Sequence, residues 1–168
     1  MEDYATRDAY FAAMRRVAGT VAIIATEHEG VRGGLAATAW CSLAADPPMM
    51  LACVNSGASA FSLLVASRRF SINALAAGQE EVVAIFSARR GLAGDARFQS
   101  EDWSTGHAGL PILKGALAML ECELVEMIPH ATDGVMIGRV LSAKSGADRE
   151  PLLFLDGGFA RAQMAALA

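Results

Sequence analysis

The sequence predicts a mainly β barrel with a few short helices, and three observations lead there. Most apolar runs are short and either alternate in polarity or are rich in β-branched residues, as strands require. The order is strand, hairpin, strand, helix, strand, helix and then three more strands, which lacks the βαβ alternation of a parallel doubly wound sheet. The 168 residues are 54% hydrophobic and 19% charged, enough for one domain, residues 1–168, with a substantial core. No apolar run reaches the roughly 18 residues of a membrane helix. The longest candidate, Ala36 to Val54, is broken by Asp46, Pro47 and Pro48.

Taken in order, Thr6 caps a helix over about residues 7–17, with Tyr10, Phe11, Met14 and Val17 on one side. Gly19 ends it, and Thr20 to Thr26 is β-branched enough for a strand. A glycine-bearing turn leads to a second strand over Gly34 to Leu43. Asp46-Pro-Pro is a rigid break, because proline fixes φ and lacks a donor. Met49 to Asn55 reads as a buried strand, Ser56 to Ala66 as a short helix and Arg69 to Leu75 as another strand. Gln79 to Ala88 is helical, with Val82, Val83 and Phe86 inward. Residues 89–111 form the longest irregular stretch. Gly115 to Val125 then alternates, with Leu120, Cys122 and Leu124 on one face and Glu121 and Glu123 on the other. Val135 to Ser142 and Leu152 to Leu155 complete the strands.

Composition narrows the function. Fourteen Lys and Arg against eighteen Asp and Glu give a net charge of −4, so there is no electrostatic footprint for nucleic acid. Cys41, Cys53 and Cys122 are odd in number and widely spaced in apolar surroundings. They read as reduced core thiols of a cytoplasmic protein rather than a disulfide frame or zinc site. The polar, acidic opening from Met1 to Asp8 has no signal-peptide pattern. Dinucleotide, P-loop, metalloprotease and nucleophile-elbow motifs are all missing. His28, His107 and His130 fall in loops or at a strand end.

One segment remains distinctive. Ala36, Ala37, Thr38 and Ala39 are small enough for a flat ligand to approach the backbone. Asn55-Ser-Gly-Ala-Ser59 then opens a helix, where free amides and hydroxyls suit a phosphate. A well-packed alanine-rich strand followed by an ordinary serine cap fits the same residues.

The run Gly34-Leu-Ala-Ala-Thr-Ala-Trp-Cys-Ser-Leu through Pro47-Pro48, followed by Cys53-Val54-Asn55, resembles the short-chain flavin reductase family. The resemblance continues in Arg69-Phe-Ser-Ile-Asn-Ala-Leu, in Arg97-Phe98 with Trp103, in Gly109-Leu-Pro-Ile-Leu-Lys-Gly-Ala-Leu-Ala and in Ile137-Gly138-Arg-Val140. It thus spans nearly the whole chain. It implies an antiparallel split β-barrel of the FMN-binding type and a homodimer with flavin near the interface. The implied activity is an NAD(P)H:flavin oxidoreductase reducing FMN or FAD, with NADH or NADPH as co-substrate and a monooxygenase component as recipient of reduced flavin. The net charge and the lack of a membrane-length apolar run predict neither a nucleic acid nor a membrane partner.

By the same resemblance, Ala36, Ala37, Thr38 and Ala39 would hold the isoalloxazine. Cys53, Val54 and Asn55 would flank the ribityl chain, and Ser59 the phosphate. Arg89 or Arg90 would supply countercharge, with Phe98 beside the flavin. The two arginines also fit a helix end by its dipole, and Phe98 fits loop packing. No catalytic acid or base is implied. Two departures stand out. Ala36 occupies a position where many relatives have Thr, and Asp133 occupies one where many have a nicotinamide-side His. His130, three residues earlier, would point to the opposite face of a continuous strand. Two alternatives stay open: a flavin-binding module without turnover, and a reductase of another acceptor such as a cob(II)alamin-type corrinoid.

Overall fold

The computed structural model describes residues 4–146 and 148–165. Residues 1–3, 147 and 166–168 lie outside that description, and with them the first three residues of the polar opening.

The fold is mainly β and antiparallel. Seven strands form one sheet: β2 (Ala22–His28), β3 (Val31–Ala37), β4 (Trp40–Ala45), β5 (Pro48–Asn55), β6 (Arg69–Ala74), β9 (Ala118–His130) and β10 (Asp133–Ser145). Their spatial order is β3-β2-β6-β9-β10-β5-β4. One face of these strands converges on a single cluster that includes Ala22, Ile24, Ala52, Val54, Phe70, Ile72, Cys122 and Met136, with Leu35 of β3 and Trp40 of β4 packed against it. Strands lie about 4.8 Å apart, so a flat sheet would hold its two edges nearly 30 Å from each other. Both edges touching one cluster means the sheet is rolled. β3 and β4 are not hydrogen-bonded partners, so the roll stays split. Helix α2 (Phe61–Ser67) sends Leu64 into the same cluster.

Alternation along β2 builds a second layer. Ala22 and Ile24 face the barrel interior, while Ile23 and Ala25, with Val21 just ahead of the strand, face outward into a second cluster. That cluster contains Val83 and Phe86 of α3 (Glu80–Phe86), Phe98, Leu113 of β8 (Pro111–Leu113) and Leu152 of β11 (Leu152–Leu155). A separate three-stranded sheet, β1 (Gly19–Thr20), β11 and β12 (Gly158–Arg161), flanks it in the order β1-β11-β12.

Several sequence expectations need correction. The first predicted strand is two: β1 pairs with β11 and β2 with β3 and β6, because at Val21 the backbone turns to bond Leu152 and Leu75. The expected strand from Gly34 to Leu43 breaks at Thr38–Ala39, where the chain passes from one sheet edge to the other. The helix expected over 7–17 is α1 (Arg7–Met14), and none of its residues is buried. The stretch over 89–111 is not wholly irregular: it holds a 3-10 turn at Gly94–Phe98 and the strand β7 (Trp103–Thr105) paired with β8. Strands β9 and β10 extend past their predicted ends into one long hairpin, and β12 was not expected at all.

The cysteines are not all in the core. Cys122 is buried, Cys53 half-buried and Cys41 exposed. Burial away from water pushes the Cys122 thiol up to about 12, with Glu121 adding a smaller effect of the same sign.

Candidate functional site

The sequence motifs first have to be separated into scaffold and site. Asn73 is fully buried; its Oδ1 accepts from the Leu113 amide at 2.8 Å, and Ser71 Oγ donates to the Pro111 carbonyl. These bonds stitch the Arg69–Leu75 motif to the Gly109–Ala118 motif. Glu121, expected on the polar face of β9, is also buried, because the loop before β8 folds over it and the Ala108 and Leu110 amides donate to its Oε1. Arg97 is buried without a carboxylate. Its guanidinium donates to the carbonyls of Gly34 and Leu92, both at 2.9 Å, and so ties the 3-10 turn to β3. Phe98, Phe86 and Trp103 form a ring cluster with centroids 4.9–5.3 Å apart. Phe98 is 3% exposed there and does not line the cavity beside Ala36. It is loop packing that backs the wall.

In front of this wall lies the candidate site. Gly34 lets α3 approach β3, since a Cβ there would meet Phe86 Cε1 at 2.9 Å and the Ile24 carbonyl at 3.0 Å. Beyond the point of contact, the end of β3 and the start of the Thr38–Ala39 corner open a cavity of about 180 Å³. Ala36, Ala37 and Thr38 form one side; Val21, Val83 and Phe154 form apolar walls; Arg89 is the one charged residue at its lining. A wider groove of about 560 Å³ adjoins it, sharing Thr38 and Phe154 and reaching Ala39, Phe11 and Met14. Phe154, a strand residue by sequence, reaches the cavity because it stands opposite Gly19 where β11 pairs with β1, and no local sequence signal marks that pairing.

Arg89 and Arg90 diverge. Arg90 donates to both carboxylate oxygens of Glu81, at 2.8 and 2.7 Å, and this partner holds the Glu81 carboxyl below its usual range. Arg89 lines the cavity.

The other predicted site residues sit on the neighbouring sheet edge. The Cys53 amide donates to the Ala39 carbonyl at 2.8 Å, which joins the end of β5 to the corner. Val54 is fully buried inside the barrel, backbone included, so it can serve the site only by holding Cys53 and Asn55 in place. Asn55 and Ser59 are exposed. The segment after Asn55 does not open the helix as expected. It is a turn in which Asn55 Oδ1 accepts from Gly57, and α2 starts only at Phe61 with Ala60 as an N-cap that makes no side-chain bond. Ser59 therefore caps nothing.

Asp133 and His130 change most. The strands reverse at Ala131–Thr132, with Ala131 at φ +51°, and Asp133 pairs directly with His130 on β9 and with Asn55 on β5. Residues opposite each other in an antiparallel pair share a face. His130 is thus on the same face as Asp133, contrary to the expectation from strand spacing. The Thr132 carbonyl also accepts from the amide and hydroxyl of Ser56, so hairpin tip and turn form one rim. No group of His, Cys, Asp and Glu among the described residues is arranged to hold a metal ion, and no helix there is long and apolar enough to cross a membrane.

A rolled, split antiparallel barrel with a small-residue cavity at its rim is the architecture of one class of proteins. The model of the flavin reductase like domain matches residues 14–163, and the chain belongs to that family. Among curated relatives, the FMN reductase (NADH) RutF of Ancylobacter novellus is 34% identical over 149 residues, covering 89% of this chain and 81% of the relative. RutF of Klebsiella pneumoniae is 31% identical over 147 residues, 88% of each. Among solved structures, the NADH:FAD oxidoreductase SgcE6 of Streptomyces globisporus, in complex with NAD and FAD fragments, superposes with a TM-score of 0.86 at 26% identity, covering 99% of this chain and 98% of that one. The styrene monooxygenase flavin reductase of Pseudomonas putida S12 gives 0.81 at 27% identity, covering 93% and 98%.

Proposed function

We propose that this chain is a flavin reductase that oxidises NADH, takes FMN as its flavin and hands the reduced form to an oxygenase. The carrying observation is the cavity at the end of β3, where small side chains leave a planar ring access to the backbone between apolar walls. Alanines and the Thr38–Ala39 corner fit a flat heteroaromatic group; larger residues would fill the space. The relatives named FMN reductase (NADH) support the choice of nucleotide and flavin. The neighbour described as the flavin reductase component of a two-component tryptophan halogenase supports a downstream recipient.

When bound, the flavin supplies the hydride-accepting chemistry. The protein's work is to hold two rings at reacting distance and keep water from between them. Ala36, Ala37, Thr38 and Ala39 give the ring its floor, and Val21, Val83 and Phe154 exclude water. Cys53 and Asn55 would run beside the ribityl chain, with the fully buried Val54 between them holding their backbone in place. Ser59 and the amides of its exposed turn are free to meet a phosphate. His130 stands beside Asp133 at the rim, where it offers a donor toward the nicotinamide nucleotide that the carboxylate alone would repel. Hydride transfer between the two rings needs no strong acid or base from the protein.

The active unit we propose is a homodimer. Tyr10, Phe11, Met14 and Val17 are 45–57% exposed around α1, and Phe11 and Met14 border the groove beside the cavity. A second copy covering this face would complete the groove. Light scattering on the purified protein tests it: a monomer mass at micromolar concentration refutes the dimer. For the activity, protein, FMN and NADH are mixed without oxygen and the dihydronicotinamide absorbance is followed. FMN-dependent loss supports the reading, and no loss with NADH or NADPH refutes it.

A further inference from the structure

We infer that Arg89 faces the flavin ring rather than its phosphate, and that it holds the negative charge which hydride transfer leaves on that ring. The inference rests on the proposed flavin reading. Three placements carry it. Arg89 lines the small cavity with Ala36, Ala37 and Thr38, and the turn that would meet a phosphate, Ser56 to Ser59, contributes nothing to that lining. Arg90 is absent from that lining and is paired with both oxygens of Glu81. The backbone sends the two neighbours apart. α3 ends at Phe86, the Arg89 amide bonds the Ala84 carbonyl, and Ala88 adopts a left-handed φ of +62°.

Charge conservation supplies the rest. A hydride brings two electrons and one proton. Its donor ring, neutral before transfer, becomes a cation, and the neutral acceptor ring becomes an anion. The acceptor would sit among Val21, Val83 and Phe154, where low polarity strengthens any nearby charge interaction. A guanidinium stays protonated at every working pH and presents planar donors. At the cavity lining it favours the ring after transfer over the ring before it, which is the differential stabilisation that catalysis requires.

The test uses lumiflavin, which has the ring and no phosphate, beside FMN. Each is titrated in oxidised and chemically reduced form, without oxygen, into the wild type, Arg89→Met and Arg89→Lys. Arg89 is exposed and its side chain packs no core, and thermal melts confirm that the variants fold. The expected result is that Arg89→Met binds reduced lumiflavin about tenfold more weakly, a modest value for one partly solvated charge. Oxidised lumiflavin binding should change less than twofold, FMN should show the same ratio, and Arg89→Lys should recover most of the loss. Weakening confined to FMN and equal in both redox states would make Arg89 a phosphate ligand and overturn the inference. Unchanged binding throughout would also overturn it. Failure of the wild type to bind either flavin would instead refute the flavin reading beneath it.

Discussion

Replacing Ala36 with Leu gives the sharpest steric test of the cavity. Ala36 is half-buried, packs toward the outer cluster and lines the 180 Å³ space directly. Leucine adds three carbons, roughly 90 Å³ if each takes about the 30 Å³ of a water. That fills about half of the cavity. A buried aromatic ring removes about 150–250 Å² from water, which at about 25 cal/mol/Å² contributes some 4–6 kcal/mol. Losing half of that contact costs about 2–3 kcal/mol, a roughly 30- to 150-fold rise in Kd. Quenching of flavin fluorescence measures it, and the thermal transition shows whether the variant is folded. Position 36 pairs with Ile23 on the outer face of β2 and faces open space, so the fold should lose about 1 kcal/mol or less. A folded Ala36→Leu protein that binds FMN as tightly as wild type would refute the placement of the ring.

Further expectations follow from the same geometry. His130→Ala should raise KM for NADH about five- to tenfold with little change in kcat, the scale of one lost polar contact; an unchanged KM removes His130 from the rim's function. Gly138→Ala should destabilise the barrel by about 1–3 kcal/mol, because the new Cβ would lie 2.5 Å from Phe70 Cζ at a register shift of β10; chemical denaturation measures this. Arg97→Met should cost roughly 2–3 kcal/mol by leaving the Gly34 and Leu92 carbonyls without their donor, read in the same way. Cys122 should appear in the alkaline limb of the stability profile. Its thiol is held protonated to about 12 in the fold, while the unfolded chain releases that proton near 9. The unfolded state then binds fewer protons, so stability is full below pH 9 and declines from there toward pH 12. Cys122→Ala should flatten this decline, at a small cost near neutral pH; an identical limb in the variant contradicts the assignment.

What could be read from the chain beforehand was local. The β-branched run before His28, the alternation around Cys122 and the break at Asp46-Pro-Pro each depend on near neighbours, and each marks a real element. What stayed hidden depended on contacts between distant segments. Glu121 looked solvent-facing because the loop that buries it arrives from Ala108 and Leu110. Trp103 to Thr105 is too short and polar to read as a strand, and exists through pairing with β8. The turn at Ala131–Thr132 lacks the Asn-Gly signature of a two-residue hairpin, so the reversal that puts His130 opposite Asp133 has no mark in the sequence.

For the candidate site, the alanine-rich corner and Arg89 stand out in the sequence one by one, while their meeting at one cavity is visible only in the fold. Phe154 and Val83 join them from strands and helices far along the chain. Phe98 carried the right motif for a different purpose: it braces the wall behind Gly34.

A crystal structure of the protein soaked with FMN tests the central claim most directly. The account predicts the isoalloxazine between the Ala36–Ala39 backbone and Phe154, with Arg89 at its edge and the phosphate toward Asn55 and Ser59. A flavin seated elsewhere, such as the separate cavity beside Gln79 and Trp103, would contradict it.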